Sequence, residues 1–318
     1  MASKVEQVSQ LQDKYQALKT EISKLVVGQE EAVDQLLLSI FCNSHCLLVG
    51  VPGLAKTLMV NVLSKALGLS FNRIQFTPDL MPSDIIGSEV LNKNREFEFV
   101  KGPLFSNVIL ADEINRTPPK TQSALLEAMQ EKTVSSNGQH FSLGDLFFVL
   151  ATQNPIEQEG TYSLPEAQLD RFMFQVELDY PSLEQEIDIV KRTTANHKVD
   201  IKQVISAEEI LGFQKLIRAI PVPDAVLNYT VKLVQSTRTG KHAQNEFAKQ
   251  YIAWGAGPRA SQNLILAAKA QAALSGKYSP DIEDVMKVAK PILQHRVLLN
   301  YKAKAKGIDF DDLLKALA

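Results

Sequence analysis

The sequence predicts an α/β fold: a five-stranded parallel sheet with helices on both faces, interrupted by inserted β-hairpins and followed by an all-α domain. Three features support this prediction. Short apolar runs alternate with segments of helical periodicity up to residue 178, as expected for a parallel sheet covered by helices. Two segments with hairpin signals interrupt the alternation, and beyond Pro181 only helical periodicity remains. We place the domains at residues 1–200 and 201–318.

The predicted strands are short apolar runs without helical spacing. They occupy residues 45–49, 71–76, 108–111, 146–151 and 172–178. The predicted helices carry apolar residues three and four positions apart, as Val8, Leu11 and Tyr15 do in the first helix. These helices cover residues 5–25, 30–42, 56–67, 118–131, 182–195, 206–220, 224–238, 258–274 and 282–299.

Two hairpins are predicted within the α/β pattern. In residues 87–104, acidic and apolar side chains alternate over 96–100 before Gly102. Residues 133–148 contain the pair Asn137-Gly138, which is a strong signal for a two-residue hairpin turn. Such hairpins are either plain surface structure or recognition elements, which insertions on a regular scaffold often supply.

The overall charge gives no support for binding nucleic acid through the protein as a whole, although it leaves a local basic patch open. The chain has 318 residues and a formal net charge of −2, so no global basic field is available to hold nucleic acid. Residues 1–29 lack a basic segment followed by an apolar core, and the longest apolar runs are too short to cross a bilayer. We therefore expect a cytoplasmic protein.

The two cysteines, Cys42 and Cys46, flank His45. A metal site needs about four ligands, and no second Cys/His pair lies nearby in the sequence. We interpret the cysteines as small apolar residues at the entry to a buried strand, in a reducing compartment.

A glycine-rich loop follows the first predicted strand and opens a helix, which is the context that a phosphate-binding loop requires. Its inward N–H groups would form an anion nest beside a helix N-terminus. Lys56 would bind the β- and γ-phosphates, and the Thr57 hydroxyl would coordinate Mg²⁺. The alternative is an ordinary connecting loop between a strand and a helix that matches the motif by chance. The predicted nucleotide-binding residues are Gly50, Val51, Pro52, Gly53, Leu54, Ala55, Lys56, Thr57 and Leu58.

Ala55 stands where the general G-x-x-x-x-G-K-[ST] pattern has its second glycine. Alanine fits this position without strain if its φ angle is negative. A positive φ would instead strain the loop, because only glycine adopts such angles freely.

Two carboxylates, Asp112 and Glu113, end the predicted strand at 108–111. Ligands of parallel sheets bind at the carboxyl ends of the strands. Asp112 would hold Mg²⁺ through water, and Glu113 would orient and polarise the attacking water. The alternative is that both acids cap the helix that follows.

Three further polar residues are candidates for the same chemistry. Asn154 could hydrogen-bond the γ-phosphate or the attacking water, although asparagine before proline is also an ordinary turn residue. Arg171 is either a structural ion-pair partner or an arginine that stabilises transition-state charge. Arg259 lies at a helix start, where a cation opposes the helix dipole and an anionic partner is therefore favoured.

Together these segments resemble the AAA+ ATPases and, within them, the MoxR family, over nearly the whole chain. The segments that carry the resemblance are Val27-Gly28-Gln29, GVPGLAKT at 50–57, LADEINR at 110–116, KTQSALLEAMQE at 120–131, ATQNP at 151–155, LPEAQLDRF at 164–172 and GAGPRA at 255–260. The resemblance implies that the form of the loop with Ala55 is the family's own.

The resemblance implies a role for each matching residue. Val27, Gly28 and Gln29 would bind adenine; Lys56 and Thr57 match Walker A, and Asp112 and Glu113 match Walker B. Asn154 matches sensor 1. Arg171 matches an arginine finger that acts on the neighbouring subunit's ATP, and Arg259 matches sensor 2 in a helical lid. Mg²⁺ would be bound by Thr57 and Asp112. The two hairpins match inserts of the family's clade.

The resemblance also implies a homo-oligomer, expected as a hexameric ring, that uses ATP and Mg²⁺ to remodel or mature partner proteins, often ones with von Willebrand factor A domains. The chief rival is a motor acting on nucleic acid, but residues 133–148 contain no Lys or Arg to track phosphates. A nucleotide-gated switch with negligible turnover and a small-molecule kinase are weaker rivals. Glu113 argues against the switch, and the pattern of arginines and lid argues against the kinase.

Overall fold

The computed structural model describes residues 4–136, 138–156, 160–194, 199–242 and 245–317. Its α-helices are α1 (Lys4–Ile22), α2 (Glu30–Phe41), α3 (Lys56–Ala66), α4 (Pro82–Ile86), α5 (Pro119–Glu131), α6 (Glu166–Leu169), α7 (Leu183–Thr194), α8 (Ala207–Arg218), α9 (Asp224–Ser236), α10 (Glu246–Tyr251), α11 (Pro258–Leu274), α12 (Ile282–Leu293), α13 (Tyr301–Ala305) and α14 (Phe310–Leu317). Its strands are β1 (Cys46–Val49), β2 (Phe71–Gln75), β3 (Gly87–Leu91), β4 (Phe97–Lys101), β5 (Val108–Asp112), β6 (Thr133–Ser136), β7 (Gln139–Ser142), β8 (Phe148–Gln153), β9 (Phe174–Glu177), β10 (Ile252–Trp254) and β11 (Leu298–Leu299).

The described chain forms two compact units. One consists of Gln16–Arg171 together with Val176–Leu211. The other consists of the residues up to Tyr15, the short segment Phe172–Gln175, and the chain from Gly212 onward. The boundary placed at residue 200 from the sequence stays a prediction.

The central sheet has five strands in the order β2-β5-β8-β1-β9. The pairs β2–β5, β5–β8 and β1–β8 are parallel. The apolar residues of β5 and β8 are buried throughout, which is the pattern of a parallel sheet covered on both faces. The predicted fold class is therefore confirmed, and the carboxyl ends of β1, β5 and β8 meet at one edge.

His45 ties the start of this sheet together. Its Nδ1 accepts a hydrogen bond from the Val149 N–H at 3.0 Å, and its Nε2 donates to the Met129 carbonyl at 3.0 Å. The ring therefore joins the entry to β1, strand β8 and the end of α5. Burial lowers the pKa of His45 to about 4, so the ring is neutral at neutral pH. Cys42 and Cys46 beside it are buried and are not in a disulfide, as the sequence predicted.

Both predicted hairpins are present. Strands β3 and β4 pair antiparallel, as do β6 and β7. The rings of Phe99 on β4 and Phe141 on β7 stack with their centroids 4.1 Å apart, so the two hairpins contact each other. Phe97, the first residue of β4 after the turn of the first hairpin, is 76% exposed. Asn137 of the predicted turn lies outside the described residues.

The described chain from Gly212 onward is helical, as predicted, with one addition. Strands β10 and β11 form an antiparallel pair in which Ile252 lies opposite Leu299 and Trp254 opposite Leu298. The helix predicted over 282–299 was therefore too long, because α12 ends at Leu293 and the following residues turn toward this pair. Among the described residues, no helix is long and apolar enough to cross a bilayer.

Candidate functional site

The loop between β1 and α3 presents its backbone outward. Leu54 is buried and anchors the loop, whereas Pro52 and Gly53 are exposed. Gly53 has φ +90°, and a Cβ built on it meets no atom within 4 Å. An anion therefore has room against this backbone, beside the N-terminus of a helix.

Of the two conformations left open for Ala55, the structure has the one with a positive φ. Ala55 immediately precedes α3 and has φ 54° and ψ 25°, in the left-handed region that strains residues with a Cβ by about 1–2 kcal/mol. The loop thus keeps the conformation that the glycine of the general pattern would adopt. Strain of this kind persists where the surrounding structure imposes it, and it concentrates at functional sites.

Lys56, the first residue of α3, points back into the loop. Its Nζ donates a hydrogen bond to the Gly50 carbonyl. Burial lowers the pKa of Lys56 below its ordinary value, while the negative charges of Asp112 and Glu113 act in the opposite direction. The two carboxylates therefore favour the charged form of the lysine in a partly desolvated position.

One cavity of about 340 Å³ brings these groups together. It unites the loop with the ends of β5 and β8. Its lining residues are Pro52, Gly53, Ala55, Lys56, Thr57, Leu58, Asp112, Glu113 and Asn154.

The carboxylate of Asp112 has two protein partners. Arg73 on β2 donates to Oδ2 from Nε at 3.0 Å and from Nη2 at 2.6 Å. The Thr152 hydroxyl on β8 donates to Oδ1 at 2.6 Å. Both oxygens of Asp112 are therefore oriented by neighbouring strands. Sequence reasoning missed both partners.

Glu113 has a strained backbone and a restrained side chain. Its φ of 58° lies in the left-handed region, and its N–H donates to the Thr152 hydroxyl at 2.8 Å. Its Oε2 accepts hydrogen bonds from Gln75 at 2.8 Å and from Arg116 at 3.0 Å. The carboxylate is thus held at a defined place beside the cavity. Gln75 and Arg116 were also missed from the sequence.

Asn154 follows the last residue of β8 and is 6% exposed. Its Oδ1 accepts a hydrogen bond from the Ile156 N–H at 3.2 Å. This is the interaction expected if Asn154 is an ordinary turn residue before proline. The same side chain also lines the cavity. A turn residue and a ligand-binding residue are therefore compatible interpretations of Asn154, since the turn holds its side chain at the cavity.

Arg171 lies at the end of its unit, two residues after α6. Within the part of the chain that the structure describes, its guanidinium makes no hydrogen bond or ion pair, and only its backbone N–H is bonded, to Gln168 O at 3.2 Å. Arg259 is exposed in the first turn of α11, in the other unit.

The predicted adenine-binding residues are not among those that line the cavity of about 340 Å³, which we call the phosphate cavity. Gln29 lines a second cavity of about 230 Å³ with residues of α1 and α2, such as Thr20 and Val33. Gly28 has φ +75°, and a Cβ there would lie 2.9 Å from Gln185 Oε1. Neither it nor Val27 is among the residues lining the phosphate cavity.

The donor set of the larger cavity fits a nucleotide with Mg²⁺. Mg²⁺ is usually held by one or two carboxylates together with phosphate oxygens rather than by a dedicated protein cage. The described residues contain no group of three or more His, Cys, Asp and Glu side chains placed to hold a metal. At the cavity, oxygen atoms are offered by the Asp112 carboxylate and the Thr57 hydroxyl, and also by Glu113 and Asn154.

Known families match both parts of the chain. Residues 45–174 match the ATPase family associated with various cellular activities (AAA), and residues 244–317 match the AAA lid domain. The first match spans the phosphate loop, both carboxylates, Asn154 and Arg171.

Individual relatives align over most of the chain. Chaperone MoxR1 of Mycobacterium tuberculosis is 43% identical over 91% of this chain and 76% of its own length. The uncharacterized protein YeaC of Bacillus subtilis is 41% identical over 93% of this chain and 90% of its own length. The crystal structure of an ATPase candidate from Cytophaga hutchinsonii is 42% identical, with a TM-score of 0.90 over 98% of this chain and 95% of that one.

Proposed function

Because this chain belongs to the MoxR family of AAA+ ATPases, we propose that it couples Mg²⁺-dependent ATP hydrolysis in the phosphate cavity to remodelling or maturation of partner proteins. The observation that carries this proposal is the single cavity that unites Lys56, Asp112, Glu113 and Asn154. The name of the relative Chaperone MoxR1 supports the chaperone-like part of the proposal.

The roles of the residues follow from the chemistry of phosphoryl transfer, which asks chiefly for positioning and charge stabilisation. The loop N–H groups and Lys56 hold the β- and γ-phosphates. Glu113 orients the water that attacks the γ-phosphorus, and Asn154 hydrogen-bonds that water or a γ-phosphate oxygen. When bound, Mg²⁺ neutralises charge on the phosphate oxygens, and Thr57 and Asp112 are the residues that would hold it.

Asp112 and Glu113 already have hydrogen-bond partners within the protein, and these partners bear on the proposed chemistry. Bound nucleotide and Mg²⁺ would share the two acids with their present partners, since Asp112 is paired with Arg73, and Glu113 is bonded to Gln75 and Arg116. Arg73 and Gln75 belong to β2, so these two side chains are the ones that a bound nucleotide would most directly affect on that strand.

Arg171 supports a site shared between subunits. A guanidinium without a described partner in its own chain is suited to stabilise charge on the nucleotide of a neighbouring copy. We therefore place the active form in a homo-oligomeric ring, with six subunits as the expected number.

Mixed rings test the shared site. Arg171→Ala should bind nucleotide with unchanged affinity but lose most of its hydrolysis. Glu113→Gln should also bind and not turn over. Mixing the two variants should restore part of the activity, because some interfaces then pair an intact Arg171 with an intact Glu113. Absence of any recovery, with ring assembly verified by light scattering, would contradict the shared site.

A variant that binds ATP without hydrolysing it can identify the class of partner protein. Glu113→Gln should hold ATP and retain its substrate protein, whereas Lys56→Ala, which cannot bind the phosphates, is the matched control. Pull-down with ATP should enrich proteins with von Willebrand factor A domains on Glu113→Gln alone. Equal recovery on both variants would argue against ATP-dependent remodelling of such partners.

The motor alternative gains no support from the second hairpin. Strands β6 and β7 contain no Lys or Arg, whereas binding to a nucleic-acid backbone rests on such charges. Turnover should therefore be unchanged when DNA or RNA is added; a severalfold stimulation would favour the motor.

A further inference from the structure

Three consecutive side chains after α12 bind the backbone that directly follows Arg171. Gln294 Nε2 donates to the Gln175 carbonyl at 2.8 Å. His295 Nε2 lies 3.0 Å from the Phe172 carbonyl oxygen. Arg296 donates to the Phe172 carbonyl at 2.5 Å and to the Met173 carbonyl at 3.1 Å. We call Gln294, His295 and Arg296 the 294–296 clamp.

The clamp and its target belong to one compact unit. The segment Phe172–Gln175 groups with the chain from Gly212 onward rather than with the residues on either side of it. Phe172, Met173 and Phe174 are each at most 1% exposed. The segment is therefore fixed both by apolar packing and by the hydrogen bonds of the clamp.

The clamp is built from groups that are unfavourable to bury. Arg296 is 6% exposed and His295 4% exposed. A buried charge is tolerated only when its donors are directed at acceptors, and the Arg296 guanidinium meets this requirement with carbonyl oxygens, that of Ile292 included. Burial and the adjacent guanidinium hold the pKa of His295 well below its ordinary value, so one cation, not two, is buried here.

The planar guanidinium of Arg296 fixes the orientation of the bound peptide groups as well as their distance. Its donors form a rigid fork, so that binding two successive carbonyls sets the orientation of the peptide planes as well as their position. Phe172 is joined to Arg171 by one peptide bond, and their Cα atoms are therefore about 3.8 Å apart. Fixing the Phe172 carbonyl thus restricts where the Arg171 side chain can begin.

We propose that the 294–296 clamp positions Arg171 for its action on the neighbouring subunit's nucleotide. The inference rests on the proposed role of Arg171 as the residue supplied in trans. Residues 294–296 follow α12 directly, so the Phe172 carbonyl, which stands next to Arg171 in the chain, is tied to the end of that helix. Arg296, which binds two carbonyls of the segment, is the principal positioning residue.

Mixed-subunit kinetics test the clamp. Arg296→Met keeps the unbranched apolar stem of the side chain and removes all its donors. It should reduce ATP turnover at least tenfold while the affinity for nucleotide stays within twofold of wild type. Adding Glu113→Gln subunits should restore turnover to the extent seen with Arg171→Ala, since each Arg296→Met subunit then works with an intact Arg171 from its neighbour. Gln294→Ala, which removes a single bond at Gln175 and leaves those of Arg296 to Phe172 and Met173 in place, should lose less than threefold.

The outcomes separate this inference from the proposed function. Wild-type turnover by Arg296→Met, with Arg171→Ala inactive, overturns the clamp and leaves the shared site intact. Impaired turnover without recovery, when Arg171→Ala does recover, shows a merely structural role and also overturns it. Failure of Arg171→Ala itself to recover refutes the shared site instead, and the clamp with it. Should Arg296→Met fail to fold, Arg296→Lys, which keeps the charge and loses the fork, carries the same comparison.

Discussion

His45 makes the stability of the nucleotide-binding unit depend on pH. Its pKa is about 4 in the folded chain, against an ordinary value of 6.5. The folded state therefore resists protonation that the unfolded state accepts, so the contribution of His45 to stability is complete above pH 6.5 and is lost as the pH falls to about 4. Each pH unit in that interval is worth about 1.4 kcal/mol, which gives a total loss of about 3 kcal/mol.

The geometry explains the size of the effect. Nδ1 accepts from the Val149 N–H, so a proton added to Nδ1 would break that bond and leave a cation in a buried site. A loss of about 3 kcal/mol is large beside the roughly 5–15 kcal/mol by which a domain is stable. The same bonds join β1, β8 and α5, and β1 and β8 lead into the loop and Asn154. Acidification should thus weaken the support of the phosphate cavity.

Urea unfolding followed by circular dichroism, at several pH values from 7 to 4, measures this effect. His45→Asn provides the reference, because its amide oxygen can still accept from Val149 and does not titrate. Carboxylates titrate alike in both proteins, so they cancel in the difference. The wild type should be the more stable protein at pH 7, and its advantage should shrink by about 3 kcal/mol by pH 4. An advantage that stays constant over this range would refute the reasoning.

Three further predictions concern the cavity. Lys56→Ala should abolish ATP binding measured by calorimetry, since the phosphates lose their mobile cation; unchanged affinity would refute the loop assignment. Ala55→Gly should raise the free energy of unfolding by up to about 1 kcal/mol, because relief of the left-handed strain exceeds the added backbone entropy of glycine; a loss of stability would show that the φ of 54° is not strained. Removal of Mg²⁺ with EDTA should stop turnover, and Asp112→Asn should raise the Mg²⁺ concentration for half-maximal activity roughly tenfold, with Asp179→Asn as a control that should leave it unchanged.

The strands and the phosphate loop were predictable because their signals are local. A buried parallel strand is a short apolar run, and the loop is a contiguous motif between such a strand and a helix. The acids and Asn154 follow from the same rule, since they stand where buried strands end.

The partners of the acids were not predictable from local sequence. Arg73 and Gln75 lie almost forty residues before Asp112 and Glu113, and only the pairing of β2 with β5 brings them together. A signal was nevertheless present: polar residues two positions apart on a strand point to the same face. The sequence left the φ angle of Ala55 open for another reason, because the loop imposes a φ angle that alanine does not favour by itself.

The end of α12 shows how distant contacts override periodicity. The apolar spacing continued past Leu293, yet the chain leaves the helix there, since His295 and Arg296 bind carbonyls more than one hundred residues away. Leu298 and Leu299 then pair with β10. Neither contact leaves a trace in the local sequence.

The enclosure of both native thiols has a practical use. Cys42 and Cys46 are the chain's two cysteines, and each is at most 2% exposed, so maleimide dyes should leave them unmodified in the folded protein. A cysteine introduced at the exposed Phe97 would then take up a fluorophore selectively. Fluorescence from that position could follow the movement of the first hairpin through a nucleotide cycle, without replacement of Cys42 or Cys46.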